Sequence, residues 1–319
     1  MEIISNPTQD EIKKAAQALK DGHLVAFPTE TVYGLGADAT NEKAVSRVYS
    51  VKARPTDHPL IVHISCINQL GNWAIDIPEY AIKLAEEFWP GPMTLILKRS
   101  EIAKDFITGG QENVGVRVPS HPVALELLSE YEKLGGLGVA APSANRFGAV
   151  SPTTALAVNE ELDAYCGDHD LILDGGHSSI GIESSIFEFI SSSLSILRPG
   201  AITKEMICSV IGSNIAIGGN KNEVKAAGML EAHYSPKAKV LLDTTSKAGD
   251  GFIALANIPT PIGAIRLGAP KTIEQFAREL YSSLRKGDSL GIKSVSVILP
   301  EGNGLSEAIK DRMIKASAG

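Results

Sequence analysis

Only three cysteines occur in the 319 residues, Cys66, Cys166 and Cys208, and they lie far apart. That excludes a disulfide framework and any Cys-x-x-Cys metal or redox motif, and it fits a reducing cytoplasm. Long apolar runs are missing too: none approaches the roughly 18 residues that a membrane helix needs. The stretch MEIISNPTQDEIKK lacks the basic-then-apolar pattern of a secretory signal. Positive charge is short, with 30 Lys and Arg against 37 Asp and Glu and a formal net charge of -7. A protein that grips nucleic acid along a broad face usually shows the opposite balance. Several templates are absent as well. Without G-x-x-x-x-G-K-[ST] a P-loop is excluded as the mode of holding ATP. There is no H-E-x-x-H, and no G-x-S-x-G elbow to support hydrolysis through a covalent intermediate. Asp168-His169-Asp170 with His177 reads more readily as a polar turn than as a metal site.

What remains is ordinary globular material, 44% hydrophobic and 21% charged, in a chain long enough for two domains. Thr8-Gln-Asp-Glu11 forms a capping box, and Ile12, Ala15, Ala16 and Leu19 follow at helical spacing. Residues 24–27 read as a buried strand ended by Pro28. Further helices are expected around Ala44–Tyr49, 78–89, 121–131, 153–162 and 203–212. Strands are expected at 93–98, 114–118, 138–141, 171–173 and 185–190. This mixture predicts an α/β domain over 1–212 with a mixed, twisted sheet. Residues 213–237, rich in Gly and Asn and without periodicity, read as a linker or lid. From 238 to 319 a second α/β pattern runs, with strands at 239–242, 252–256, 262–266 and 294–300. Its helices start at Thr272 and cover 305–316, making a small Rossmann-like unit without the glycine-rich fingerprint.

Three segments carry chemistry. Pro28-Thr-Glu-Thr-Val-Tyr-Gly-Leu-Gly36 places hydroxyls, a carboxylate and a phenol where a buried strand ends, a usual place for a site, although a capped turn has the same composition. In Lys52-Ala-Arg54-Pro-Thr-Asp-His58-Pro-Leu-Ile-Val-His63, a point charge and a planar fork suit a polyphosphate. Cations at a helix C-terminus also merely complement its dipole. Ala140-Ala-Pro-Ser143-Ala-Asn145-Arg-Phe-Gly-Ala-Val-Ser151 could present backbone amides to a phosphate, or be a plain turn. Arg117 and Arg198 sit in apolar strands and each needs an anion, whether an internal carboxylate or a ligand.

Taken in order, PTETVYGLG, K-x-R-P-x-x-H-P-L-I-V-H, PGPMTLIL, VGVRVP, APSAN and ESS-I…LRPG resemble the YrdC-type threonylcarbamoyl-AMP synthases over about residues 5–205. His233-Tyr234-Ser235-Pro236 and the small domain after it resemble the family's long, two-domain form. The resemblance implies a YrdC-like fold with a concave, positively charged cavity. It also implies a reaction in which threonine, bicarbonate and ATP, with Mg²⁺, give threonylcarbamoyl-AMP and pyrophosphate. Residue by residue, Thr31, His63, Arg117, Ala141 and Ser184 match positions around threonine. Arg54, His58, Asn113, Ser143, Asn145, Ser151, Arg198 and Tyr234 match the nucleotide side. Lys52 and Arg54 match the catalytic, charge-neutralising cations. A tRNA threonylcarbamoyl transferase would act downstream, with weak or indirect tRNA contact and no membrane. No catalytic motif is matched in the C-terminal domain. The competing readings are an RNA-binding module using the basic cavity without ATP turnover, a carbamoyl-adenylating relative, and a small-molecule sensor.

Overall fold

The computed structural model describes residues 1–190, 193–212, 216–217 and 233–319. The expected linker 213–237 therefore falls outside the described residues except at 216–217 and 233–237. The first unit runs β1 (Glu2–Ser5), α1 (Gln9–Lys20), β2 (Val25–Phe27), β3 (Gly34–Asp38), α2 (Glu42–Lys52) and β4 (Ile61–His63). It continues with α3 (Leu70–Trp73), α4 (Glu79–Phe88), β5 (Met93–Lys98), α5 (Asp105–Thr108), β6 (Asn113–Arg117) and α6 (Pro122–Lys133). Then come β7 (Val139–Ala140), α7 (Ala155–Leu162), β8 (Leu171–Asp174), β9 (Ser185–Ile190), β10 (Ser193–Arg198), α8 (Lys204–Ile211) and β11 (Ala216–Ile217). These eleven strands form one mixed sheet in the order β1-β8-β2-β3-β7-β4-β6-β5-β9-β10-β11.

The strands alternate between two cores. Val25 and Phe27 join α1 and α6 through Ile12, Leu19, Leu127 and Tyr131, while Ala26 joins the core of α2, α4 and α7. Leu171 and Leu173 face the first core and Ile172 the second. That is the period of two expected of strands covered on both faces. Local signals act as the sequence suggests: the Thr8 and Glu11 side chains each bond the other's backbone N–H and cap α1.

β1 and β3 are among the elements that the sequence does not announce. β1 precedes the first helix and pairs parallel with β8; only Ile4 of its four residues is buried, so it leaves no periodic trace. Gly34–Asp38, expected in a loop, is a fully buried strand antiparallel to both β2 and β7. Its glycines are low in strand propensity, but a Cβ at Gly36 would lie 2.8 Å from Val139 Cγ1 and 2.9 Å from Phe27 Cε1. Glycine is what lets the three strands close.

The second unit has β12 (Lys239–Leu242), β13 (Gly251–Ile253), β14 (Ile265–Gly268), α9 (Ile273–Ser289), β15 (Ser294–Val297) and α10 (Leu305–Ser317). Its four strands are all parallel, ordered β12-β15-β13-β14. The strand expected at 262–266 begins only at Ile265, because residues 261–264 form a turn in which Ala264 N donates to the Pro261 carbonyl at 3.0 Å and Ile262 lies wholly exposed. The core of this unit is shared: Val32, Val150, Ile182 and Tyr234 pack with Phe276, Leu280 and Ile309. At Gly181 (φ +84°) the chain passes so close to α9 that a Cβ would sit 2.4 Å from Arg278 Cα. No helix among the described residues is long and apolar enough to cross a membrane.

Candidate active site

A cavity of about 60 Å³ opens where several central strands end, lined among others by Thr31, Arg54, His63, Arg117, Ser143, Glu183, Ser184, Arg198 and Tyr234. Its floor comes from β4 and β6. These strands are parallel with His63 opposite Arg117, so both side chains reach the same end of the sheet.

Arg117 is buried, and its anion is internal. Nη2 lies 2.6 Å from Glu30 Oε1, Nη1 donates to Thr31 Oγ1 at 2.9 Å, and Nε donates to the Gly91 carbonyl at 3.2 Å. Glu30 also accepts from Ser120 N at 3.0 Å. Of the two partners left open by the sequence, a carboxylate or a ligand, the carboxylate is present. Burial, and then the Arg117 charge, push the His63 imidazole down to about 3, so it is neutral at ordinary pH. Its Nδ1 is buried without a partner among the described residues.

The opposite wall is stitched to the first motif. Leu35 N donates to the Pro142 carbonyl and Ala144 N to the Tyr33 carbonyl, at 2.9 and 2.8 Å. α2 ends at Ala53 in a left-handed conformation (φ +50°), which turns Arg54 back so that Nε and Nη2 reach the carbonyls of His58 and Pro59. Arg54 also lies 5.5 Å from the Phe147 ring, and burial lowers its guanidinium to about 10. Arg198 donates from Nε and Nη2 to the carbonyl and hydroxyl of Ser184, at 2.9 and 3.0 Å, and Ser184 Oγ meets Thr94 Oγ1 at 2.8 Å. Tyr234 is wholly buried at φ +62°, a conformation a bulky side chain rarely takes, and with His233 it lines the cavity.

All five positions matched to threonine line this cavity: Thr31, His63, Arg117, Ala141 and Ser184. On the nucleotide side Arg54, Ser143, Arg198 and Tyr234 line it as well. Five expected residues do not reach its surface. Lys52 is one of them. Its ammonium is buried against the carbonyls of Ser143, at 2.6 Å, and Asn145, so it braces the wall from behind. Asn145 folds onto the carbonyls of Arg146 and Ala149. Ser151 donates to Glu183 Oε1 at 2.6 Å. The His58 ring packs edge-on against Phe147. Asn113 starts β6, at the opposite end from Arg117, opposite Lys98. Arg47, on the same helix as Lys52, is paired with Asp170.

Sequence reasoning assigned no role to Thr29, Glu30, Glu183 or His233, though each lies inside a motif it singled out. Arg312 was missed altogether. A cation on the apolar stripe Ile309, Met313 and Ala316 of α10 was the available signal.

Arginines and hydroxyls gathered at strand ends, in an α/β protein without a phosphate loop, define a protein that takes small anionic ligands on its side chains. The comparisons narrow that class. A family model of the Sua5, YciO and YrdC proteins, described as "Telomere recombination", matches residues 17–200. One described as "Threonylcarbamoyl-AMP synthase, C-terminal domain" matches residues 202–318. The chain belongs to this family, in its two-domain, Sua5-type form. It is 40% identical to the threonylcarbamoyl-AMP synthase of Pyrococcus abyssi (96% of this chain, 94% of the relative). It is 36% identical to that of Bacillus subtilis (100% and 95%). A crystal structure of P. abyssi Sua5 complexed with L-threonine superposes with a TM-score of 0.89 at 36% identity, covering 99% of this chain and 97% of that one.

Proposed function

We propose that this protein is a threonylcarbamoyl-AMP synthase that joins L-threonine, bicarbonate and ATP. The observation that carries the reading is the cavity itself, where Arg54, Arg117 and Arg198 converge with a neutral His63, in a chain whose curated relatives carry that name over nearly full length. The threonine amine adds to carbon dioxide drawn from bicarbonate and sheds a proton, leaving an N-carboxylate. A carboxylate oxygen then bonds to the α-phosphorus, the α–β phosphoanhydride bond breaks, and pyrophosphate leaves. Such a displacement needs charge neutralisation and alignment more than a protein nucleophile. Arg117, steadied by Glu30 and Thr31, presents a guanidinium edge suited to the threonine carboxylate. Arg54 and Arg198 suit the phosphates, and Ser184 links the two halves through Arg198 and Thr94.

The carboxylates near the cavity do not fit a resident metal. Glu30 is engaged by Arg117 and Ser120, and Glu183 by Ser151, Tyr281 and Arg312. Among the described residues no group of three or more His, Cys, Asp or Glu could hold an ion. Mg²⁺ enters the proposal as part of the substrate, MgATP. About 60 Å³ has room for a few waters, whereas ligand sites run to roughly 300–1,000 Å³. A nucleotide therefore needs more room than this arrangement leaves, and His233 and Tyr234 are among the lining side chains that would have to move. The product is a mixed anhydride that water destroys, which supports hand-over in the cytoplasm to a transferase that modifies tRNA. The net charge of -7 fits weak or indirect tRNA contact.

The test is pyrophosphate release from MgATP by purified protein, with threonine and bicarbonate added singly and together. Release that needs both, with the mass of threonylcarbamoyl-AMP in the products, is the expected result. Folded protein that releases none under any combination contradicts the assignment.

A further inference from the structure

The C-terminal unit carries no motif of its own, yet two of its side chains end at the cavity wall. Arg312 on α10 is completely buried, a costly place for a guanidinium unless its hydrogen bonds are met. One edge is met within α10, where Nη1 donates to Asp311 Oδ2 at 2.5 Å, and the rest is met by the wall. Nε donates to Glu183 Oε2 at 2.8 Å, Nη2 donates to the Pro199 carbonyl at 3.0 Å, and the guanidinium carbon lies 5.4 Å from the centre of the Tyr234 ring. Tyr281 on α9, also completely buried, donates its hydroxyl to the same Glu183 Oε2 at 2.9 Å. Glu183 lines the cavity, and its neighbour Ser184 is the residue that Arg198 grips. One cation from the second unit thus touches the carboxylate, the turn after Arg198 and the Tyr234 ring.

We propose that Arg312 is a positioning residue of the active site: from the C-terminal unit it fixes ionised Glu183, and with it the Glu183–Ser184 wall and the Tyr234 ring, in the arrangement that receives substrate. The proposal rests on the synthase reading and gives the second unit a part in the reaction. A hydrophobic interface would dock the two units equally well. What it would not do is hold a carboxylate charged on the cavity surface. Burial pushes the Glu183 carboxyl up, and Arg312, then Arg198, outweigh it and hold the group at about 2. The groups that face Glu183 are Ser151, Arg198, His233, Tyr234, Tyr281 and Arg312. Of these, only Arg198 and Arg312 are cations at neutral pH, His233 being pushed down to about 3 by burial.

The experiment compares full-length wild type, Arg312→Met, Arg312→Lys and Tyr281→Phe by pyrophosphate release across pH, well below their melting temperatures. Thermal shift with added ATP or threonine reports binding in parallel. For Arg312→Met the expected result is a loss of roughly ten- to a hundredfold in kcat/KM, as for a misplaced wall, and an acid limb moved upward by at least one pH unit. Arg312→Lys keeps the wild-type limb, and Tyr281→Phe moves it in the same direction by a smaller step. The proposal is overturned if folded Arg312→Met keeps the wild-type kcat/KM and pH profile, or if Arg312→Lys is as impaired as Arg312→Met. Should Arg312→Met not fold, Tyr281→Phe decides, and an unmoved limb in that variant is fatal. A wild type that binds ATP and threonine without releasing pyrophosphate refutes the synthase reading instead, and the ligand-induced shifts of the variants then judge Arg312: unchanged shifts overturn its role.

Discussion

Replacing Gly181 by alanine should loosen the second unit from the first. Gly181 N donates to the Thr31 carbonyl at 3.1 Å, so it lies in the strip that also holds Glu30 and Glu183. At φ +84° an alanine costs about 1–2 kcal/mol for the left-handed backbone. Its Cβ would also fall 2.4 Å from Arg278 Cα and 2.7 Å from the carbonyl oxygens of Ala277 and Arg278. These are main-chain atoms of α9 that cannot rotate away, and overpacking of this kind costs about 1–3 kcal/mol. The stiffer unfolded chain returns about 0.4–1 kcal/mol, leaving a net loss of about 2–4 kcal/mol. Gly110 supplies the control, because it has φ +80° and nothing within 4 Å of where an alanine methyl would stand. Gly110→Ala should lose only the backbone part, about 1 kcal/mol. Urea unfolding of both variants isolates the contact as a difference of about 2 kcal/mol. Equal stabilities for the two would refute the close approach of the Gly181 loop to α9.

Further predictions concern the buried charges. Glu30→Ala strands the Arg117 guanidinium and the Ser120 N–H, which should cost about 3–5 kcal/mol in urea unfolding; a loss under about 1 kcal/mol would mean that water reaches the pair. Ser151→Ala removes a 2.6 Å hydrogen bond to the Glu183 carboxylate and should cost about 1.5–3 kcal/mol by the same measurement. His63 is neutral when folded down to about pH 3, whereas an unfolded histidine takes a proton near pH 6.5. The unfolded state therefore gains protons first, and stability falls as pH drops from about 6.5 towards about 3, by about 1.4 kcal/mol per pH unit for this one group. His63→Gln should flatten the stability curve by that amount in this window and leave it unchanged above; a slope equal to that of wild type contradicts the account.

The parts of the site legible in the sequence are those carried by short contiguous runs. Thr31, His63, Arg117 and Ser184 each sit in a motif beside a strand, and the cavity collects them because the strands end together. The partners of these residues were less legible. Arg117 was recognised as needing an anion, but Glu30 is 87 positions away and nothing local ties the two. Lys52 shows how spacing alone leaves a side chain's surroundings open. Its spacing from Arg54 suggested one shared phosphate, yet Ala53 in its left-handed conformation separates the two side chains, and the ammonium turns to the 143–145 carbonyls. Asn113 stands apart from the cavity for a geometric reason: four residues along an extended strand carry a side chain about 13 Å from Arg117. The helices were read well where caps and apolar stripes agree, as in α1 and α9, whereas β1 and β3 depend on neighbours contributed by distant strands.

The facing of His63 and Arg117 across β4 and β6 sets a rule for how this protein can change. In a strand, a single inserted or deleted residue sends every later side chain to the opposite face. An indel of one in either strand would thus turn an imidazole or a guanidinium from the cavity into a hydrophobic layer, and no compensating substitution elsewhere restores both. The connection between β5 and β6 joins the far ends of those strands, so added length there leaves the pair in register. Tags, labels or loop grafts belong at that end of the sheet, and lineages should accumulate their length differences there.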